Sequence, residues 1–205
     1  MKKYNLLLVG FLFSLGVSAQ SSNSILLNLY GGYTFSDKVE YDNMYGYVED
    51  GFEYGAGLEY FFIDNSSVEL KYNRLDTKLP LYDLRGQLNE GNDKGAINYV
   101  LLDYAHYFTT GSEKLLPYIG AGAGVAILET SQSDNGTYFA WEAKLGVKIT
   151  TSSPISININ TYLQSMSAAV GNSYYWTNIG VVAATDYVST FQFGLGATLS
   201  YDFSK

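Results

Sequence analysis

Eight stretches of this chain alternate apolar and polar side chains with a period of two, the spacing that makes one face of a strand apolar and the other polar. Its 205 residues include 20 Tyr, 11 Phe and 21 Gly but only 16% charged residues, a surface poorly suited to water. The connections between the stretches alternate long and short. Together these observations predict an all-β chain: an eight-stranded antiparallel up-and-down transmembrane β-barrel, with apolar faces toward lipid and polar faces toward the lumen.

The length suits one domain. Residues 1–19 read as a signal peptide, because Lys2 and Lys3 precede an apolar run from Leu6 to Val17 and the small pair Ser18-Ala19. The barrel domain is then 20–205. Of the 12 Lys+Arg, these two lysines leave with the leader, so the mature chain carries a net charge of −10 and is a poor partner for nucleic acid. There is no cysteine, which excludes disulfides, thiolate metal sites and a cysteine nucleophile. Beyond the leader no apolar run is long enough for a transmembrane helix.

The first strand, Ser24 to Phe35, sets Ile25, Leu27, Leu29, Tyr33 and Phe35 on one face and Asn28, Tyr30, Gly32 and Thr34 on the other. The second, Phe52 to Phe62, fixes the phase. Its apolar residues alternate with Glu53, Gly55, Gly57 and Glu59, and a charge turned to lipid near the midplane costs roughly 2 to 4 kcal/mol for Lys or Arg and less for Asp or Glu. The third, Ser67 to Asp76, turns Val68, Leu70 and Tyr72 outward and Glu69, Lys71 and Asn73 inward, with Arg74 at the rim. The fourth, Ala96 to Phe108, is apolar on both faces; placing Asp103 inward leaves His106 facing out at the periplasmic interface.

The fifth strand, Leu116 to Glu129, carries alternate glycines at 120, 122 and 124 on its inward face, room for Tyr30, Tyr99 and Tyr162 in a lumen only wide enough for side chains. The sixth, Thr137 to Ile149, sends Glu142, Lys144, Gly146 and Lys148 inward. The seventh runs from Ile155 to Met166. In the eighth, residues 188–203, Phe191, Phe193, Leu195, Leu199, Tyr201 and Phe203 share the greasy face. Loops at Ser36 to Gly51, Thr77 to Lys94, Ser131 to Gly136 and Ser167 to Tyr187 alternate with three short turns. This asymmetry places the loops outside the cell and both termini in the periplasm.

The last strand, closing on Phe203, and the run Pro117-Tyr118-Ile119-Gly120-Ala121-Gly122-Ala123-Gly124 resemble the small outer-membrane barrels of the OmpX and OmpA-barrel type. That resemblance implies a Gram-negative outer-membrane protein whose terminal strand, here followed by Ser204 and Lys205, is read by the barrel-assembly machinery. It also implies one of several roles: contact with a protein or glycan partner, envelope maintenance, or an OmpW-like passage for small or hydrophobic solutes.

The inward Glu53, Glu59, Glu69, Asp103 and Glu142 face Lys71, Lys144 and Lys148. Buried charges must be paired, so a packed plug is expected rather than a water-filled pore. The glycine run lacks the spacing and following helix of a dinucleotide fingerprint. The single histidine has no adjacent serine, and no Gly-x-Ser-x-Gly or His-Glu-x-x-His occurs; no catalytic residue, cofactor or metal site is expected. Asp37, Glu40, Asp42, Glu49 and Asp50 read as a solvated acidic loop before a calcium site. Tyr41, Tyr45 and Tyr47 are aromatic loop residues, and Tyr174, Tyr175 and Trp176 in the last loop are the candidate partner contact. The expected partners are outer-membrane lipid, the assembly machinery and a membrane or cell-surface molecule. The expected function is therefore that of a non-enzymatic envelope barrel, with a small channel as the alternative and a lipid-modifying enzyme third.

Overall fold

The computed structural model describes residues 23–41, 44–83, 85–89, 91, 93–109, 114–130, 136–177 and 180–205, and for Tyr41, Met44 and residues 168–188 the backbone alone. The leader at 1–19 lies outside the described residues, as does most of the loop at Ser131 to Gly136.

The strands follow in the order β1 (Ile25–Thr34), β2 (Asp37–Tyr41), β3 (Met44–Val48), β4 (Gly51–Ile63), β5 (Ser66–Lys78), β6 (Leu81–Asp83), β7 (Gly86–Gln87), β8 (Lys94–Tyr107), β9 (Leu115–Thr130), β10 (Gly136–Thr150), β11 (Ile155–Thr177), β12 (Gly180–Ser189) and β13 (Gln192–Asp202). Eight of them, β1, β4, β5, β8, β9, β10, β11 and β13, pair antiparallel with their sequence neighbours. The ring closes where β1 meets β13, from Leu26 opposite Asp202 to Thr34 opposite Gly194. Closure pairs every barrel edge, as the hydrocarbon layer demands of any sheet that crosses it.

The alternation read from the sequence holds on every barrel strand. Leu58, Leu70 and Leu102 are exposed on the outside in one lateral row, while Glu53, Glu59, Lys71, Asp103 and Glu142 are buried inside. Aromatics flank the aliphatic belt. Phe52, Tyr54, Tyr72 and Phe193 stand toward the long connections, and Phe62, Tyr104, Phe108 and Phe203 toward the turns. Phe52 and Phe62 are ten residues apart on β4, about 33 Å along the strand, or roughly 25 Å once tilted, the height of an outer-membrane apolar band. At the turn end, β4 and β5 are joined by Asp64-Asn65, with an irregularity between Phe61 and Ile63.

Three of the four outer connections differ from the irregular loops expected. The first contributes β2 and β3 and the second β6 and β7, which form a separate four-stranded sheet over the barrel mouth. Their strands are too short, and too interrupted by Gly and Asp, to show a period in the sequence. The last connection, expected as a loop from Ser167 to Tyr187, is instead a continuation of the wall. β11 runs 23 residues and pairs with β12 from Ser167 opposite Ser189 to Thr177 opposite Gly180, with a register shift between Val170 and Asn172. At about 3.3 Å per residue this hairpin stands some 35 Å beyond the barrel wall. The strand expected over 188–203 is thus broken at Thr190 and Phe191, where Thr190 turns its hydroxyl to the Met166 backbone.

Candidate functional site

The lumen is built in three layers. At the loop end Val48, Leu75, Ile97, Tyr99, Leu101, Ala126, Ala140 and Met166 pack into one apolar cluster. At the turn end Leu26, Phe61, Ala105, Tyr107 and Tyr118 form another. Between them lie the charges that the alternation turned inward. Val48 is contributed by β3, so the loop sheet itself helps close the mouth; Thr77 Oγ1 donates to Glu49 O at 2.6 Å and fixes it there.

The middle layer pairs nearly every predicted residue. Lys71 Nζ donates to both carboxylate oxygens of Glu142 at 2.7 and 2.6 Å. Lys144 Nζ meets Asp103 at 2.6 Å, Glu142 at 3.3 Å and Glu69 at 3.7 Å. Lys148 lies 3.8 Å from Glu59 and over the rings of Phe61 and Tyr107 at 4.7 and 5.1 Å, a cation–π seat inside the lower apolar cluster. Glu53 is held differently, accepting from Asn73 at 2.6 Å, Gln164 at 2.8 Å and Thr34 at 3.0 Å. Asn28 bridges Glu69 and Glu59 at 2.6 and 3.2 Å, Tyr30 donates to Glu69, and Ser67 and Tyr107 donate to Glu59 at 2.5 and 2.8 Å.

The sequence reading turned Asn28, Tyr30, Thr34 and Asn73 inward but gave them no part in the charge network, and it left out Asp202, a sixth buried carboxylate at the turn end. Their only signal was an inward position on a strand. The void between Glu53, Lys71, Asn73 and Tyr162 measures about 20 Å³, room for about one water molecule.

The glycines make space in a different way from that expected. A Cβ at Gly122 would stand 1.7 Å from Asp103 Oδ1, and one at Gly124 would stand 2.0 Å from the Val100 carbonyl oxygen, so β9 is thinned for its neighbour β8. The room for Tyr162 comes from Gly194 on β13, where a Cβ would sit 2.2 Å from the Tyr162 ring. Tyr99 is buried by the upper apolar cluster and donates to Gln192 Oε1 at 3.3 Å.

His106 faces outward at the turn end. The register of β5 against β8 sets Ser66 opposite it, with Ser66 Oγ 3.0 Å from His106 Nδ1 and 3.2 Å from the Tyr104 hydroxyl. The sequence sought a neighbour in the chain and missed this one across the ladder. Ser66 is only 1% exposed, which leaves its hydroxyl without the access a nucleophile requires.

On the loop sheet Tyr45 and Tyr82 stack with ring centroids 5.0 Å apart, and Tyr47 meets both edge-on. Lys38 sits 4.9 Å over Tyr45 and pairs with Glu40 at 2.5 Å. The acidic residues of this loop are engaged separately: Asp37 accepts the Phe191 amide at 2.7 Å and Asp50 the Tyr33 hydroxyl. Tyr174, Tyr175 and Trp176 fall on the β11 side of the protruding hairpin, opposite Ala183, Val182 and Val181; their side chains lie outside the described residues.

Among the residues of the final strand, Phe191, Phe193, Leu195, Leu199 and Phe203 are exposed on the outer wall, and Tyr201 stacks edge-on against Phe203 at 5.2 Å. Phe203 N donates to Ile25 O at 3.0 Å, which stitches the end of the ring.

A family profile described as the OprF membrane domain matches residues 7–149. Among solved structures, the outer membrane protein OprG from Pseudomonas aeruginosa aligns with a TM-score of 0.59 at 15% identity, covering 90% of this chain and 99% of that one. Neisserial surface protein A aligns at 0.55 and 13% identity, over 85% and 95%. The N-terminal β-barrel domain of Pseudomonas aeruginosa OprF aligns at 0.50 and 17% identity, over 89% and 100%. No curated protein sequence matches the chain. The profile spans more than half of the sequence, and the closed ring with its apolar outer belt is the architecture of these bacterial outer-membrane proteins: the chain belongs to the OprF membrane-domain family.

Proposed function

We propose that this protein is a non-enzymatic outer-membrane barrel with a closed lumen, which works through its loop-end surface on a protein or glycan partner. Its long connections face outside, both termini face the periplasm, and its last strand is read by the barrel-assembly machinery. The observation that carries this reading is the layering of the lumen. Ions crossing the barrel would have to pass two apolar clusters and break the Lys71–Glu142 and Lys144–Asp103 pairs, and stripping a buried charge of its partner costs several kcal/mol.

The loop end, by contrast, projects ordered structure: the aromatic cluster of Tyr45, Tyr47 and Tyr82 and the β11–β12 hairpin. Aromatic anchors supply much of the energy of protein contacts. The single histidine lies at the turn end beside a buried Ser66, away from the loop end, which favours a contact role over lipid modification.

Planar-bilayer recording of the purified protein tests the closed lumen. The expected record is flat. Reproducible unitary steps that change in Glu142→Gln would establish the channel instead. Replacing Tyr174, Tyr175 and Trp176 by serine tests the contact surface: assembly should persist while co-purification or cell binding weakens. Unchanged binding together with a newly conducting barrel would make the hairpin a lid.

A further inference from the structure

The apolar belt does not have one height around the ring. Along β13 every outward position from Phe191 through Phe193, Leu195, Ala197, Leu199 and Tyr201 to Phe203 is apolar. Its ends are twelve residues apart, about 40 Å along the strand and about 30 Å once tilted. On the far side of the ring β5 meets β8. Here the outward apolar rungs number three: Val68 against Tyr104, Leu70 against Leu102 and Tyr72 against Val100.

A polar rung closes each end of this short face. At the loop end Arg74 stands opposite Asn98, and at the turn end Ser66 stands opposite His106. The loop-end rung is fixed in place. Arg74 Nε donates to Asp76 at 2.8 Å, its Nη1 donates to Asn98 and Glu129 at 3.1 Å each, and Asn98 accepts from the Tyr72 hydroxyl at 2.8 Å. The side chains of Arg74, Asp76 and Glu129 keep 29%, 55% and 42% of their surface exposed, and exposed charge, even when paired, is costly in hydrocarbon. Above them come Lys78 and Lys94, opposed on the ladder. At the turn end Ser66 Oγ lies 3.0 Å from His106 Nδ1. Below that rung β8 adds only the Phe108 ring, edge-on to the imidazole at 5.0 Å, an aromatic of the interfacial girdle.

The two polar rungs are eight residues apart on each strand, about 26 Å along it and about 20 Å once tilted, about 5 Å less than the usual outer-membrane band. Asn98 is too short to reach past the difference, and it holds Arg74 at its own rung. A bilayer answers such a mismatch by thinning. We propose that the β5–β8 face is an interaction surface for a thin patch of bilayer, gathering phospholipids with short acyl chains while the β13 side keeps longer ones. The occupant follows from the rungs: long-chained leaflets beside Leu70 would bury Arg74 and His106 in hydrocarbon, whereas short-chained leaflets end at both. This inference rests on the membrane reading of the barrel but not on a closed lumen or on the role of the hairpin.

The chain has no cysteine, so a bimane fluorophore can be attached at Leu70→Cys or Leu199→Cys alone. Each labelled barrel is folded into vesicles with a fixed fraction of dioleoyl-length phosphatidylcholine bearing a mid-chain nitroxide, in a host of plain dioleoyl or plain dimyristoleoyl phosphatidylcholine. Changing to the shorter host should lower quenching at Leu70 about threefold more than at Leu199, the scale of a few ångströms of mismatch. Arg74→Leu with Asn98→Leu extends the apolar face at the loop end, and His106→Leu extends it at the turn end. Each should bring the Leu70 response to that of Leu199, with heat-modifiable gel mobility verifying the fold. Equal responses at the two positions without these substitutions, or a difference that both extended variants leave unchanged, overturns the proposal. Loss of quenching at Leu70 in both hosts, together with cross-linked pairs of barrels, would put a second copy on this face and overturns it as well. A conducting or partner-free barrel that still shows the difference leaves this inference standing while the functional reading above fails.

Discussion

Lys71 on β5 and Glu142 on β10 hold each other through two hydrogen bonds although two strands, β8 and β9, separate them around the ring. Such a contact can only run through the lumen, and it ties opposite walls together. Removing one partner leaves a buried charge without its mate, at a cost of about 3 to 5 kcal/mol. Glu142→Ala should therefore lower stability by about that amount in urea titrations of the barrel in detergent, and Lys71→Met combined with Glu142→Met should cost less than the sum of the two singles. Additive losses would show that the pair is not coupled.

Gly122 is predicted to tolerate no side chain. The Asp103 carboxylate occupies the space that a Cβ would need, so Gly122→Ala should destabilise by about 1 to 3 kcal/mol, the usual penalty of overpacking. Adding Asp103→Ala should recover part of the loss, since Lys144 keeps Glu142 and Glu69 as neighbours. The same unfolding measurement decides; a neutral Gly122→Ala would show that β9 and β8 can part at no cost.

The outer belt should show a depth gradient. Leu70 lies in the middle of the exposed leucine row and Phe52 at its loop-end border. Leu70→Arg should cost about 2 to 4 kcal/mol and Phe52→Arg only about 0 to 1 kcal/mol beyond the loss of its ring. Equal penalties in lipid vesicles would mean that the aromatic border is misplaced.

His106→Ala should leave lipid A acylation unchanged in overexpressing cells. Its partner Ser66 is buried and shares its hydroxyl with Tyr104, so losing the imidazole removes a girdle contact and no chemistry. A change in acyl-chain number that disappears in the variant would reverse the non-enzyme reading.

The phase of each barrel strand was legible because lipid penalises an outward charge so heavily that Glu53, Glu59, Lys144 and Lys148 allow a single solution. Which carboxylate meets which lysine was not legible. That depends on how far each strand is staggered against the next, and an alternating pattern is unchanged by a shift of two residues. The Ser66–His106 contact was hidden for the same reason.

The loop sheet escaped notice because β6 and β7 have only three and two residues, too few to display a period. The hairpin was read as a loop because Ala168 to Thr177 and Gly180 to Ser189 mix Ala, Ser, Thr and Tyr without a consistent polar face. The opposed Lys78 and Lys94 lie sixteen residues apart in chain order, past the point where the apolar face gives out.

The β1–β13 seam decides how the cylinder can come into being. Its partners lie at the two extremes of the barrel segment, Leu26 against Asp202, so a chain that stops short of β13 has seven strands and two open edges. Neither edge can be satisfied in hydrocarbon. The eleven residues of β13 supply the pairing for both edges at once, with β1 on one side and β11 on the other.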